Sequence, residues 1–199
     1  MNWLNALESI SIIAASVAAS LGIFSWRSTE RWKRKYELAE DVLSKFYESR
    51  EIIKIIRSPF GIGGEGKSRE RNNNETPEES AIYDRAYVVY ERYENNKDVI
   101  EKLFSLRFRF ISHFGKENEK LFNELFKIRN DVFSAAREIA SIRLGEYSEL
   151  SIPEKGKKMR ELNNIIYWTH NSDDDPIEKR FNKLINDVES VCKKIIGRK

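Results

Sequence analysis

This sequence predicts an all-α protein: a single N-terminal transmembrane helix followed by a four- to five-helix bundle of long antiparallel helices. Three observations predict it. Ser9 to Trp26 carry no ionisable side chain, and Arg27, Arg31, Lys33, Arg34 and Lys35 follow at once. Beyond that point apolar residues recur at steps of three and four over long stretches, the spacing of one helix face. No stretch shows the strict alternation of a half-buried strand.

The first element is the membrane segment. A helix rises about 1.5 Å per residue and a bilayer core is roughly 30 Å thick, so about 20 residues cross it. Trp3 to Trp26 supply that length, with an indole at each end for the two interfaces. Small residues recur four apart at Ser11, Ala15 and Ala19, and again at Ala14, Ala18 and Gly22, a spacing that lets two helix backbones approach closely. Ala14, Ala15, Ala18, Ala19 and Gly22 are therefore the expected contacts of a homo-oligomer. A cleaved signal peptide would begin with basic residues, and here none precedes Arg27. A buried helix of a soluble protein is the competing reading of the same stretch. The basic cluster after the span predicts an external amino terminus and a cytoplasmic body. Residues 1–27 then form the anchor and 28–199 the helical body.

Trp32, Tyr36, Ala39, Leu43, Phe46, Arg50 and Ile53 continue one helix face with no breaker after the anchor, so anchor and stalk read as one helix to about Arg57. Pro59 ends it, and the glycine- and asparagine-rich residues 59–75 read as a flexible loop that buries little. Thr76-Pro77-Glu78-Glu79 restarts the helix with a capping box. Its stripe runs from Ile82 through Val89, Asn96, Leu103 and Arg107 to Phe114, and Gly115 stops it. A third helix carries Leu121, Leu125, Ile128, Val132, Ala135, Ile139 and Ile142. A shorter amphipathic stretch spans about Glu154 to Trp168. Asp175-Pro176 opens the last helix, with Ile177, Phe181, Leu184, Val188, Val191 and Ile195 on its inner face.

Composition narrows the function classes. With 35 basic and 32 acidic residues interspersed, the net charge of +3 is no nucleic-acid signature. One cysteine, Cys192, excludes an intrachain disulfide and fits a reducing compartment. Two histidines and one cysteine supply no metal-ligand cluster, and no cofactor is expected.

Two motifs invite chemistry. Gly61 to Ser68 fit the phosphate-loop pattern GxxxxGK(S/T), which would assign phosphate binding to Gly61, Gly66, Lys67 and Ser68. That pattern functions between a strand and a helix, and here a helix precedes it and polar residues 69–75 follow. Arg107 and His113 have the spacing of HEPN-type ribonucleases. Six residues apart on a straight helix they point about 120° from each other, and a histidine one residue from a helix stop complements the helix dipole. Arg50, Asn96 and Arg107 occupy seam positions and would have to find partners if buried. Asp173-Asp174-Asp175 reads as a helix cap rather than a cation site. Tyr83, Tyr87, Tyr90 and Tyr93 read as a packing face rather than a base-stacking platform. No role attaches to His170.

Tyr36-Glu37-Leu38-Ala39-Glu40, Arg57-Ser58-Pro59-Phe60, Gly64-Glu65-Gly66, Glu91-Arg92-Tyr93-Glu94, Phe114-Gly115 and Asp175-Pro176-Ile177 together resemble a widespread bacterial family of membrane-anchored all-helical proteins. That resemblance covers most of the chain after the anchor and implies the bacterial inner (cytoplasmic) membrane, but brings no established activity. Anchor, bundle and the Arg107/His113 pair are also similar to HEPN-like pore proteins of bacterial RNA-targeting defence systems. That analogy implies an oligomeric effector in antiviral defence, with a defence-system protein as partner and the lipid bilayer as its support.

Overall fold

The computed structural model describes residues 3–169 and 174–197, and it is all-α. His170 and Asp173 lie outside the described residues. α1 runs unbroken over Trp3–Ile56. It is followed by α2 (Pro77–Glu94), α3 (Lys97–Phe114), a 3-10 turn (Lys116–Asn118), α4 (Glu119–Arg143), α5 (Ile152–Ile166) and α6 (Pro176–Ile196).

Caps predicted from sequence set two of these starts, at Thr76 and Asp175, and a third at Ser151 was not anticipated. Thr76 Oγ1 accepts from the Glu79 N–H while the Glu79 carboxylate accepts from the Thr76 N–H, a complete capping box. Ser151 and Glu154 repeat the device at α5. Asp175 Oδ1 accepts from the N–H groups of Ile177 (2.9 Å) and Glu178 (3.0 Å) at α6.

The single helix expected from Thr76 to Phe114 is divided. Asn96 Nδ2 donates to the Arg92 carbonyl at 2.8 Å, taking the acceptor its own backbone N–H would use. The Asn96 N–H turns instead to Tyr93 O, one residue nearer, and the helix ends there. The stripe stays in phase across the break, so periodicity alone hides it. α2 then packs on α4, while α3 packs along α1.

The C-terminal half of α1 is the axis of the body. From Leu38 onward its inner face, including Val42, Phe46, Ile53 and Ile56, is buried. α3 and α6 flank it, and α4 closes the core and carries α5. Phe122 of α4 sits among Phe46 (5.4 Å between ring centroids), Phe110 (5.8 Å) and Phe104 (6.4 Å). Cys192, rather than Val191, is the fully buried residue near the end of α6, and burial pushes its thiol up to about 12.

The most buried charged pair joins three helix ends. Arg57, at 1% exposure, follows α1 and donates to the carbonyls of Asn164 (3.0 Å), Ile165 (2.7 Å) and Tyr167 (3.0 Å), and to Asp175 Oδ1 (2.9 Å). The Trp168 N–H returns to the Arg57 carbonyl. Orphan carbonyls at the end of α5 and the N-cap of α6 are thus satisfied by one guanidinium. Burial depresses the pKa of Arg57, and the Asp175 carboxylate opposes that shift. The seam positions of Arg50 and Arg107 drew attention in the sequence, with Arg107 expected at the margin of its stripe, whereas the deepest arginines are Arg57 and Arg92. Arg50 pairs with Glu178 and Arg107 with Glu119, each at the margin of the core.

Replacing Arg57 with Met should therefore lower unfolding stability by about 3–5 kcal/mol, because Asp175 and three carbonyls lose their donor in the interior. Urea unfolding of the full-length chain in detergent, followed by circular dichroism, measures this. A loss below about 1 kcal/mol, the worth of an ordinary exposed ion pair, would show that the cluster does not hold the helix ends.

Candidate functional site

Two regions of the molecule call for a functional reading: the free N-terminal half of α1, and the far end of the bundle where residues 58–75 fold back.

Every described side chain from Ile10 to Thr29 is exposed. Ile10, Ile12, Ile13, Val17, Leu21, Ile23 and Phe24 each show more than half of their surface. This is one helix long and apolar enough to cross a membrane, and no part of the body covers it. Its serines are less polar than their identity suggests. Ser16 Oγ donates to Ile12 O and Ser20 Oγ to Ser16 O, both at 2.8 Å, so these hydroxyls are satisfied within the helix. At 100° per residue, Ser11, Ala14, Ala15, Ala18, Ala19 and Gly22 share about 140° of the circumference. Ile10, Ile13, Val17, Leu21 and Phe24 gather in a separate stripe about 80° wide. Between Trp26 and the first buried residue, Leu38, lie about 18 Å of charged helix. Arg34 pairs with Glu30 and Lys33 with Glu37 there, while Trp32 packs on Tyr36 at 5.3 Å.

At the other end, residues 59–75 bury little, as expected, with Gly66 alone fully buried, and they are held by charge rather than by apolar contact. Arg92 reaches from α2 to the carbonyls of Ser58 and Phe60, both at 2.7 Å, and lies against those of Ile55 and Ile56 in the last turn of α1. Its other edge grips Glu65 at 2.7 and 2.9 Å and holds that carboxylate below its usual range. Arg69 binds Asp84 at 2.8 Å and both oxygens of Glu75, and Arg71 also reaches Asp84. Of the segments quoted for the family resemblance, Arg57, Glu65, Gly66, Glu91, Arg92 and Asp175 take part in these contacts. The chain distances involved explain why sequence reading missed them: Arg57 and Asp175 are 118 residues apart.

The phosphate-loop match sits inside this fold-back. Gly66 is buried at φ +83, its N–H donates to Glu91 Oε2 at 2.5 Å, and a Cβ there would collide with the Asp84 carbonyl. The N–H groups of Ile62, Glu65 and Lys67 are likewise bound, to Glu65 Oε2, Ile62 O and Gly64 O. Four amides that would cradle a phosphate are engaged within the chain. Gly61 and Lys67 do line a cavity of about 440 Å³ between this segment, α2, α4 and the end of α5. Ser68 is exposed and is not part of its lining.

Arg107 and His113 are not drawn together by chemistry. Arg107 turns to Glu119 at the start of α4, whereas His113 is exposed in the last turn of α3. Tyr90 and Tyr93 pack on Phe133 of α4, with Tyr90 Oη donating to its carbonyl at 3.1 Å. Tyr83 and Tyr87 line a shallower recess with Arg137. Among the described residues, no three His, Cys, Asp or Glu side chains are grouped to hold a metal ion. No protein-family model, curated protein or solved structure matches this chain.

The fold-back has a defined acid limit. Arg69, with help from the Asn72 N–H, lowers the Glu75 carboxyl from 4.5 to about 2. A depressed carboxylate contributes fully above its unfolded value and loses that contribution as pH falls through its folded one. Hydrogen-exchange protection of the Asn72 amide should persist down through pH 4.5 and disappear as pH approaches 2. Loss of protection above 4.5 would remove Glu75 as the tether. Gly66→Ala should expose the same amides at neutral pH and destabilise the chain by about 1–3 kcal/mol.

Proposed function

We propose that this chain is a single-pass membrane protein that assembles through its N-terminal helix, holds its helical body in the cytoplasm, and serves as an accessory or scaffold without catalysis of its own. The exposure of α1 from Ile10 to Trp26 carries the proposal. Seven large apolar side chains left in water forfeit about 1.5–3 kcal/mol each, on the order of 10–20 kcal/mol together. Moving that surface from water into a lipid core would recover this transfer energy, and the helix is long enough to span one. The basic cluster from Arg27 to Lys35 favours the cytoplasmic side and anionic headgroups. The small-residue face supports self-association, because between Ile10 and Phe24 no bulky residue falls within its arc, Ile12 and Ile23 flanking one edge, and two helices could meet closely along the alanines. Internal use of the loop amides and the Arg107–Glu119 pairing both favour a role without chemistry at those motifs.

Full-length protein should stay in the membrane pellet through alkaline carbonate washing and leave it only with detergent. Release into the wash would remove the anchor. Cys192 is buried, so cysteines introduced at Trp3 and Ser28 report topology against a silent background. In intact spheroplasts an impermeant maleimide should label the first and not the second, and the reverse pattern would invert the orientation. Ala18→Ile should convert the detergent-solubilised oligomer to monomer on native electrophoresis, whereas Val17→Ala should not.

A further inference from the structure

The cavity beside the fold-back has a lining whose charge is not balanced internally. Its walls are apolar: Ile82 and Val89 of α2, Ile139 and Ala140 of α4, and Ile166 of α5. Its two carboxylates are already committed, Glu65 to Arg92 and Asp84 to Arg69 and Arg71. Lys67, Arg85 and Arg143 also line it, are exposed, and have no carboxylate or carbonyl partner among the described residues. Three cations from three separate elements, the loop, α2 and α4, therefore surround one apolar recess.

We infer that this cavity binds a soluble organic phosphate of about mononucleotide size, its apolar body against Ile82, Val89 and Ile139 and its phosphate between Lys67, Arg85 and Arg143. At about 440 Å³ the volume falls within the range of small-molecule sites. A phosphomonoester carries close to two negative charges at neutral pH, and two arginine forks with a lysine answer a dianion better than a single carboxylate. Recognition comes from side chains, since the amides of Ile62, Glu65, Gly66 and Lys67 are engaged within the chain. The site rests on the membrane reading in one respect. It lies at the Ile56 end of α1, about 45 Å along the helix from Trp26, beyond the reach of bilayer lipid.

Full-length protein in phosphatidylcholine nanodiscs, titrated by calorimetry with AMP, hexyl phosphate and inorganic phosphate, tests this. AMP or hexyl phosphate should bind saturably and raise the unfolding temperature followed by tryptophan fluorescence, and whichever binds more tightly identifies the body as a base or an alkyl chain. Inorganic phosphate should bind at least about tenfold more weakly. Arg85→Glu and Arg143→Glu should each weaken binding by about tenfold or more, the worth of one charge-assisted hydrogen bond, without changing the unliganded unfolding temperature. Absence of binding at millimolar ligand, equal binding of inorganic phosphate, or affinity unmoved by both charge reversals would overturn the inference. If the carbonate wash releases the protein, the same titrations are run in plain buffer, so a failure of membrane insertion stays distinct from a failure of this site.

Discussion

A guanidinium buried to 1% exposure is the constraint around which the body is organised. Arg57 could not remain charged in the interior without saturating its donors, and the groups that saturate them are the ends of other helices. Its four acceptors fix where α5 stops and where α6 begins relative to the end of α1. Arg92 repeats the solution one layer away, where carbonyls near the end of α1 and the carboxylate of Glu65 converge on it. Both arginines act at helix C-termini, where the carbonyl ends of the dipole favour a cation. The apolar core supplies adhesion between helices, while these two side chains set their mutual lengths and register.

The same contacts shape the cavity. By drawing residues 58–66 back over α2, Arg92 and Glu65 place Gly61 and Lys67 on one wall and leave α2 and α4 as the others. Gly66 is the point of closest approach, where the loop lies directly on the backbone of α2. A sequence that fits a phosphate-loop pattern thus spends its glycine on packing and its amides on neighbouring carboxylates and carbonyls. The charge of Lys67 itself is left facing the cavity, with no carboxylate partner among the described residues.

Much of the architecture was legible because its causes are local. The continuity of the N-terminal apolar segment and stalk follows from an unbroken apolar period, and the starts of α2 and α6 follow from Thr76 and Asp175 with their neighbouring prolines. The division at Asn96 was not legible, since its side chain competes for a carbonyl without disturbing the apolar period on either side. Nor were the roles of Arg57 and Arg92. Their acceptors are mostly main-chain carbonyls, which every residue carries, so no side-chain pattern announces them. A step of four from Ile53 does place Arg57 on the buried face, and that was the one signal available. The cavity is contributed by four separate stretches of chain, and only tertiary structure assembles it.

From Arg27 to Ile56, α1 contains neither glycine nor proline, and its charged midsection joins anchor to core without a joint. A helix of this kind has no swivel, so the azimuth of the body about its long axis is geared to that of the segment it stands on. One residue more or fewer between Trp26 and Leu38 would turn the body by about 100° and shift it by about 1.5 Å. The spacing between those two residues therefore sets the azimuth of the body relative to the exposed apolar half of the same helix.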